Sequence, residues 1–407
     1  TYLINTAEIL RLTANDPALS NEYNIARIWK VWLFHQLTDA YGDIPYFEAV
    51  NDAGEMIVQA KYDSQEDIYA DMLKELKEAS ALLSDDASKL SFGDADILLK
   101  GNIDGWKKLA NSLRLRLAIR VRYAKPALSQ EHVTEALALP LIDDNIMNVA
   151  LKTLDDGNTD NSNQLYNSNL VQPGNMIVSF TLTDNLKRLE DPRLPLLARP
   201  SAIPEAGYRG TPPQIFGDEK IRYSGDSVAM IAESFLQPVY NIIVMNAAEV
   251  KFLRAEAALA GLSSEDAQSL YTSGIQAAME QYGVASGDIN AYQSSASATL
   301  SGTEEEQLEQ IIVQKWLSIY FNGNEGWAEF RRTGYPRIWT GSELGDTQGN
   351  IPRRFTYPTD EAFKNSQHLQ EAIGRLTGGD KLTSRIWWDA KAGTPFPHPK
   401  QGIFPPE

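Results

Sequence analysis

The chain has 407 residues, 43% of them hydrophobic and 22% charged, enough for one large or two ordinary domains of globular composition. A net charge of −17 argues against polyanionic partners, so neither nucleic acid nor an anionic membrane surface is expected to bind. With no cysteine there are no disulfides, thiolate nucleophiles or cysteine metal sites, and no apolar run reaches the length of a membrane-spanning helix.

The first helix predicted spans 24–40, with Ile25, Ile28, Trp32, Leu33, Gln36 and Leu37 along one side, and Gly42 and Pro45 end it. Ser64 with Asp67 starts a second, through Ile68, Met72, Leu76, Ala79 and Leu83. Trp106, Leu109, Ala110, Leu113, Leu117 and Val121 form the stripe of a third, and a shorter helix follows Ser129. A spacing of about 40 residues between helices is that of helical repeat arrays.

From Leu151 to Ser234 the chain is rich in Asn, Asp, Gly and Pro, with helical period only over Val178 to Leu189. Irregular stretches this long are usually functional or disordered. A helix pair follows over Ala247 to Val284. Val250, Leu253, Ala257 and Ala260 share a face of the first helix, and Gly261 stops it. Ser263 with Asp266 reads as the cap of the second, and Gly274 and Ala277 let the two backbones approach. Such a unit has the form of a tetratricopeptide-like repeat and needs further helices to cover its apolar face. Thr303 with Glu306 caps another helix through Ile319, a short one spans 324–332, and a loop-rich segment ends the chain.

The expected fold is therefore mostly α, a tetratricopeptide-like helical hairpin scaffold with a loop-rich subdomain packed on it. We expect a single domain, 1–407. Within it 22–123 and 245–332 form the scaffold, and 151–234 with 336–407 the ligand-binding subdomain.

Several motifs in order resemble the SusD/RagB family. They are Tyr41-Gly-Asp-Ile-Pro-Tyr-Phe-Glu-Ala49, Trp106 to Arg122, Glu190-Asp-Pro-Arg-Leu194, Glu249 to Gly261 and Gln314-Lys-Trp316. The series continues with Arg331-Arg-Thr-Gly-Tyr-Pro336, Tyr357-Pro-Thr-Asp-Glu361, and Gly378-Gly-Asp380 with Trp387-Trp-Asp389. The GGD…WWD ending is similar to one subgroup. The resemblance implies a helical lipoprotein at the surface of Bacteroidetes-type bacteria, lying over a TonB-dependent SusC-type outer-membrane barrel. Such proteins capture glycans, or sometimes peptides, and pass them to the barrel. It also implies that the membrane is met only through an N-terminal lipid anchor absent from this chain.

Arg114, Arg116, Arg120 and Arg122 share a helix with an apolar stripe. They are expected to pair with carboxylates on neighbouring helices rather than to bind a phosphate or acidic sugar, as are Arg331 and Arg332. Asp156, Asn158 and Asp160 begin like a calcium loop, but Asn161 stands where that loop needs Gly and Asn167 where it needs Glu. A solvated loop and no cofactor are expected there. Saccharide rings offer a flat apolar face and a hydroxyl rim, which Tyr and Trp with Asn, Gln and Arg complement. Tyr166 with Asn163 and Gln172, and Tyr208 with Arg209, Phe216 and Tyr223, have that composition. Trp29, Trp32, Trp106 and Trp316 sit on apolar stripes and are read as core. No nucleophile, metal-ligand or phosphate-loop motif is present, so catalysis is not expected. The other readings are a peptide-capturing member of the family and a non-catalytic interaction scaffold.

Overall fold

The structure is a computed structural model that describes residues 2–49, 57–86, 88–341 and 345–406. In chain order its helices begin with α1 (Tyr2–Thr13), α2 (Ser20–Tyr41), α3 (Gln65–Leu82), α4 (Ile103–Arg120) and α5 (Pro126–Leu137). Strand β1 (Val149–Lys152) precedes α6 (Gln164–Val171), α7 (Phe180–Arg188), α8 (Leu194–Leu197), β2 (Ala198–Arg199) and α9 (Glu219–Arg222). Then come β3 (Met230–Ile231), β4 (Asn241–Met245), α10 (Ala247–Leu259), α11 (Ala267–Gln281), α12 (Ser286–Gln293), α13 (Glu304–Ser318) and α14 (Gly323–Thr333). Short α15 (Glu361–Lys364) and α16 (Ser366–Arg375) lie in the C-terminal part. The chain is mostly α, a tetratricopeptide-like array of helical hairpins, as its periodicity implies. Among the described residues no helix is long and apolar enough to cross a membrane.

Two compact units are formed, residues 1–142 with 351–392 and residues 143–350 with 393–407. The helical stretch 22–123 thus belongs to the first and 245–332 to the second, while 336–407 is divided between them.

In the first unit α1 to α5 pack each on the next. The Ser64 hydroxyl accepts from the Asp67 N–H at 3.2 Å, and Ile68, Met72, Leu76, Ala79 and Leu83 are all buried, as expected. So is the whole stripe of α4. The face of α2 differs from expectation. Val31, Phe34 and His35 complete the buried side with Ile25 and Ile28, Trp32 and Leu33 are half-buried, and Leu37 is exposed. Because α1 and α3 both pack on α2, its buried surface is wider than one stripe and rotated from the apolar one. Of the four tryptophans read as core, Trp106 alone is buried. Trp29 and Trp32 stack on each other at 6.0 Å and are half-buried, like Trp316.

The arginines of α4 serve the fold. Arg114 pairs with Glu135, and Arg120 lies 3.7 Å from the buried Asp39, which also accepts from Trp388 Nε1 at 2.8 Å. Arg116 lies over the Trp32 ring and Arg122 over Tyr123.

In the second unit α10 and α11 form the expected pair, with Gly261 at φ 69° between them. The cap of α11 is Asp266, not Ser263: its carboxylate accepts from the Ser269 N–H at 2.7 Å. Ser263 stands one turn too early, because the linker continues to Asp266. Gly274 faces Phe252 so closely that a Cβ there would lie 2.8 Å from Cε1 of the ring. Gly274→Ala is therefore expected to cost about 1–2 kcal/mol, read as a lower thermal midpoint. An unchanged midpoint would mean that the Phe252 ring has room to turn. Helix α13 begins with the predicted reciprocal cap, Thr303 N–H to Glu306 at 2.7 Å and Glu306 N–H to Thr303 at 3.3 Å. The predicted period over Val178 to Leu189 is α7, capped by Ser179. Its Leu182 and Leu186 join Val178, Leu197, Phe235 and Leu317 in a core under the irregular segments.

Candidate functional site

The site is built where β4 leaves an irregular segment and α13 ends. Strand β1 pairs antiparallel with β4, Lys152 opposite Asn241 and Ala150 opposite Ile243. Thr153 extends the pairing. Its N–H donates to the Tyr240 carbonyl at 2.9 Å, and its hydroxyl accepts from the Tyr240 N–H at 2.8 Å. Tyr240 is thereby held at the strand's entrance. Beyond α13 the chain turns outward through Ile319-Tyr-Phe-Asn322, bringing Tyr320 and Phe321 to the same place.

Buried Phe235 is the hub of the resulting aromatic group. Its ring lies 4.6 Å from Phe321, 5.6 Å from Tyr320, 5.7 Å from Tyr240 and 6.4 Å from Tyr282. These are tilted or edge-on contacts, favourable geometries for aromatic pairs. Phe321 is 36% exposed, and Tyr240 and Tyr320 are half-buried, so the group presents ring surface to solvent. Burial pushes the Tyr282 phenol up to about 12 and raises Tyr240 and Tyr320 as well, so all three remain neutral donors.

Two hollows adjoin this group and share Tyr240, Ile243, Gln281 and Tyr282. The larger, about 700 Å³, is rimmed by Asn145, Asn148, Lys152, Asn241 and Gln281. The smaller, about 280 Å³, lies between α6 and Tyr320-Phe321, with Ile242 and Val244 in its wall. Aromatic faces beside a rim of amides suit a ligand with apolar ring faces and equatorial hydroxyls.

The residues singled out from the sequence are dispersed. Asn163 caps α6 and donates to the carbonyls of Phe235 and Gln237 at 2.7 and 2.9 Å. It lines the smaller hollow but is buried and committed to the fold. Tyr166 is half-buried on α6, and exposed Gln172 ends that helix. Tyr208 packs on the core around Leu182, Arg209 is held at the Ser227 carbonyl, and exposed Phe216 lies under Lys220. Tyr223 is a correction: at 3% exposure its ring fills a core with Phe180, Ile215, Val228 and Trp339 and presents no face to a ligand. Tyr240, Phe321, Asn241 and Gln281 were missed. The Tyr-Phe-Asn-Gly turn after α13 was the one local signal for Phe321.

A third cleft, about 830 Å³, lies between α7 and α13. Its walls are internally paired, Arg337 with Glu309 at 2.7 Å and Lys400 with Asp184 at 3.0 Å. Burial alone would raise the Asp184 carboxyl. Hydrogen bonds from His398 and Lys400 outweigh it and hold the group below its ordinary value. The larger volume thus comes with salt-bridged walls and less aromatic surface. In the Asp156 loop, the carboxylate accepts from the Asn158 N–H at 3.0 Å and Asn161 Nδ2 at 2.9 Å, and Asn158 accepts from the Asp160 N–H at 3.0 Å. These oxygens close the loop on itself.

Comparison with known proteins bears on the whole chain. The profile of a SusD-like family, described as starch-binding and associating with the outer membrane, matches residues 1–358. A chitin-binding protein of known structure is 32% identical, with TM-score 0.85 over 96% of this chain and 85% of that one. A chitin-binding SusD homologue from Flavobacterium johnsoniae is 28% identical, with TM-score 0.78 over 91% and 81%. A SusD homologue from Bacteroides uniformis is also 28% identical, with TM-score 0.82 over 96% and 85%. No curated protein sequence matches.

Proposed function

Since the chain belongs to the SusD-like family of outer-membrane-associated proteins, we propose that it captures oligosaccharides without catalysis in the cleft around Tyr240 and Phe321. The bound glycan is then handed to a TonB-dependent barrel of the SusC type, with the protein held at the cell surface by a lipid ahead of Thr1. The observation that carries this reading is the aromatic group of Phe235, Tyr240, Tyr320 and Phe321 beside an amide rim. Exposed ring faces supply apolar contact, and the amides read hydroxyl positions. The chitin-binding proteins of similar structure support a glycan as ligand, and chitin oligosaccharides are the first ligands to try.

Affinity electrophoresis through gels containing plant, host and microbial polysaccharides tests capture directly. For a polysaccharide that retards the protein, Tyr240→Ala and Phe321→Ala are each expected to weaken binding about tenfold. Tyr223→Ala should instead lower the thermal midpoint and leave affinity unchanged. Retardation unaffected by Tyr240→Ala and Phe321→Ala would place the glycan elsewhere on the protein.

A further inference from the structure

Resting on the reading that this cleft takes a saccharide, we infer that its larger lobe recognises an acidic sugar unit, one carrying a carboxylate. The wall of the lobe is one face of the β1–β4 pair. Alternation along the strands puts Ala150 and Lys152 of β1 with Asn241 and Ile243 of β4 on that face, while Ile242 and Val244 line the smaller lobe, to which Ile243 also contributes. Lys152 is exposed, directly opposite Asn241, and among the described residues its ammonium makes no hydrogen bond or ion pair.

No carboxylate lines this lobe among the described residues, and Lys152 is its one charged side chain. The chain as a whole carries 54 acidic against 37 basic residues, so this wall has the opposite balance. The amides on the rim are neutral and partly fixed. Asn145 donates to the Ala277 carbonyl at 2.9 Å, and Asn148 to Gln281 Oε1 at 3.3 Å. A sugar ring lying against Tyr240 would direct a carboxylate substituent to Lys152 and a neighbouring hydroxyl to Asn241. A neutral sugar would cover the ammonium without a counter-charge, which costs part of the binding energy. The charge of −17 still repels a dense polyanion, so the favoured ligand is a sparsely charged oligosaccharide.

The test uses three matched pairs of probes that differ by one carboxylate. They are xylotetraose and its singly glucuronidated form, cellotetraose and its singly C6-carboxylated form, and N-acetyllactosamine and its sialylated form. Dissociation constants are measured calorimetrically for the native chain, Lys152→Gln and Tyr240→Ala. The acidic member of at least one pair should bind about fivefold tighter at low ionic strength, the gap closing as salt screens the pair. Lys152→Gln should abolish the preference without weakening the neutral member, whereas Tyr240→Ala should weaken both members alike. Equal affinities within every pair, or a preference that survives Lys152→Gln, overturns the acidic-sugar inference and leaves glycan capture standing. Binding that Tyr240→Ala does not weaken removes the cleft as the saccharide site and the inference with it, and no binding of any probe overturns the acidic-sugar inference alone.

Discussion

Replacing Lys315 by Met is expected to destabilise the second unit by about 3–5 kcal/mol. Lys315 is fully buried on α13, and its ammonium stands 3.6 Å from Glu249 of α10, 3.0 Å from Glu325 and 3.2 Å from Glu329 of α14. Glu329 also takes a bond from Arg332 at 2.6 Å, and Arg332 bridges back to Glu256 of α10 at 2.5 and 2.7 Å. Two cations thus bind three helices through four carboxylates, all out of water. Met fills nearly the same volume, so little of the effect comes from packing. The loss arises because three buried carboxylates keep their desolvation cost and lose the Lys315 charge that helps to offset it, although Glu329 retains Arg332. Urea unfolding followed by tryptophan fluorescence reads the change. Adding Glu325→Gln to Lys315→Met should recover part of the loss, since it removes one of the buried charges that Lys315 offset and leaves the Arg332–Glu329 pair intact. A loss below about 1 kcal/mol would mean that water or rearranged protons reach the cluster in the variant.

This cluster also marks what was legible in the sequence. The arginines of Arg331-Arg332 were expected to serve the fold, because a guanidinium among apolar helix positions needs a carboxylate. Arg332 has two. Helices α3, α4 and α13 were legible because a cap, a stripe or both mark them locally: Ser64 with Ile68 to Leu83, the run from Trp106 to Val121, and Thr303 with Glu306. The buried side of α2 was not, since neighbours on two sides decide which residues it covers. The candidate site was less legible still. Tyr240 and Phe321 belong to segments far apart in the chain, and their rings come within 6.4 Å only through the β1–β4 pairing and the end of α13. Loop composition pointed to Tyr223 and Asn163, which have the chemistry of a sugar site. The first fills a core and the second caps a helix. Composition names the chemistry available, whereas burial decides which side chains can offer it.

The first unit carries a titratable group whose geometry makes its stability depend on pH. His132 lies buried on α5, and its Nδ1 accepts from Arg114 Nε at 2.8 Å. That bond requires a lone pair on Nδ1, so the ring is neutral with its proton on Nε2. Burial, and then the adjacent Arg114 charge, depress the imidazole to about 4 from the ordinary 6.5. In the unfolded chain the ring takes up a proton near 6.5, but in the folded one only near 4. Between those values the unfolded state binds more protons, and folding stability falls as pH falls. The contribution is fully present above pH 6.5 and is lost on acidification toward 4, about 2–3 kcal/mol in all. Glu135 acts in the same direction at lower pH. Hydrogen bonds from Lys77 and Arg114 hold its carboxyl at about 2, so its contribution is lost as pH falls below the ordinary 4.5. His132→Gln retains an oxygen acceptor for Arg114 and cannot titrate. Its unfolding free energy, measured in urea across that range, should fall less steeply than that of the native chain by about one proton's worth of slope. Parallel slopes would mean that Arg114 turns away and lets the ring charge in the folded state. The Arg114–Glu135 pair would then be the contact that holds α4 to α5, and His132 a bystander.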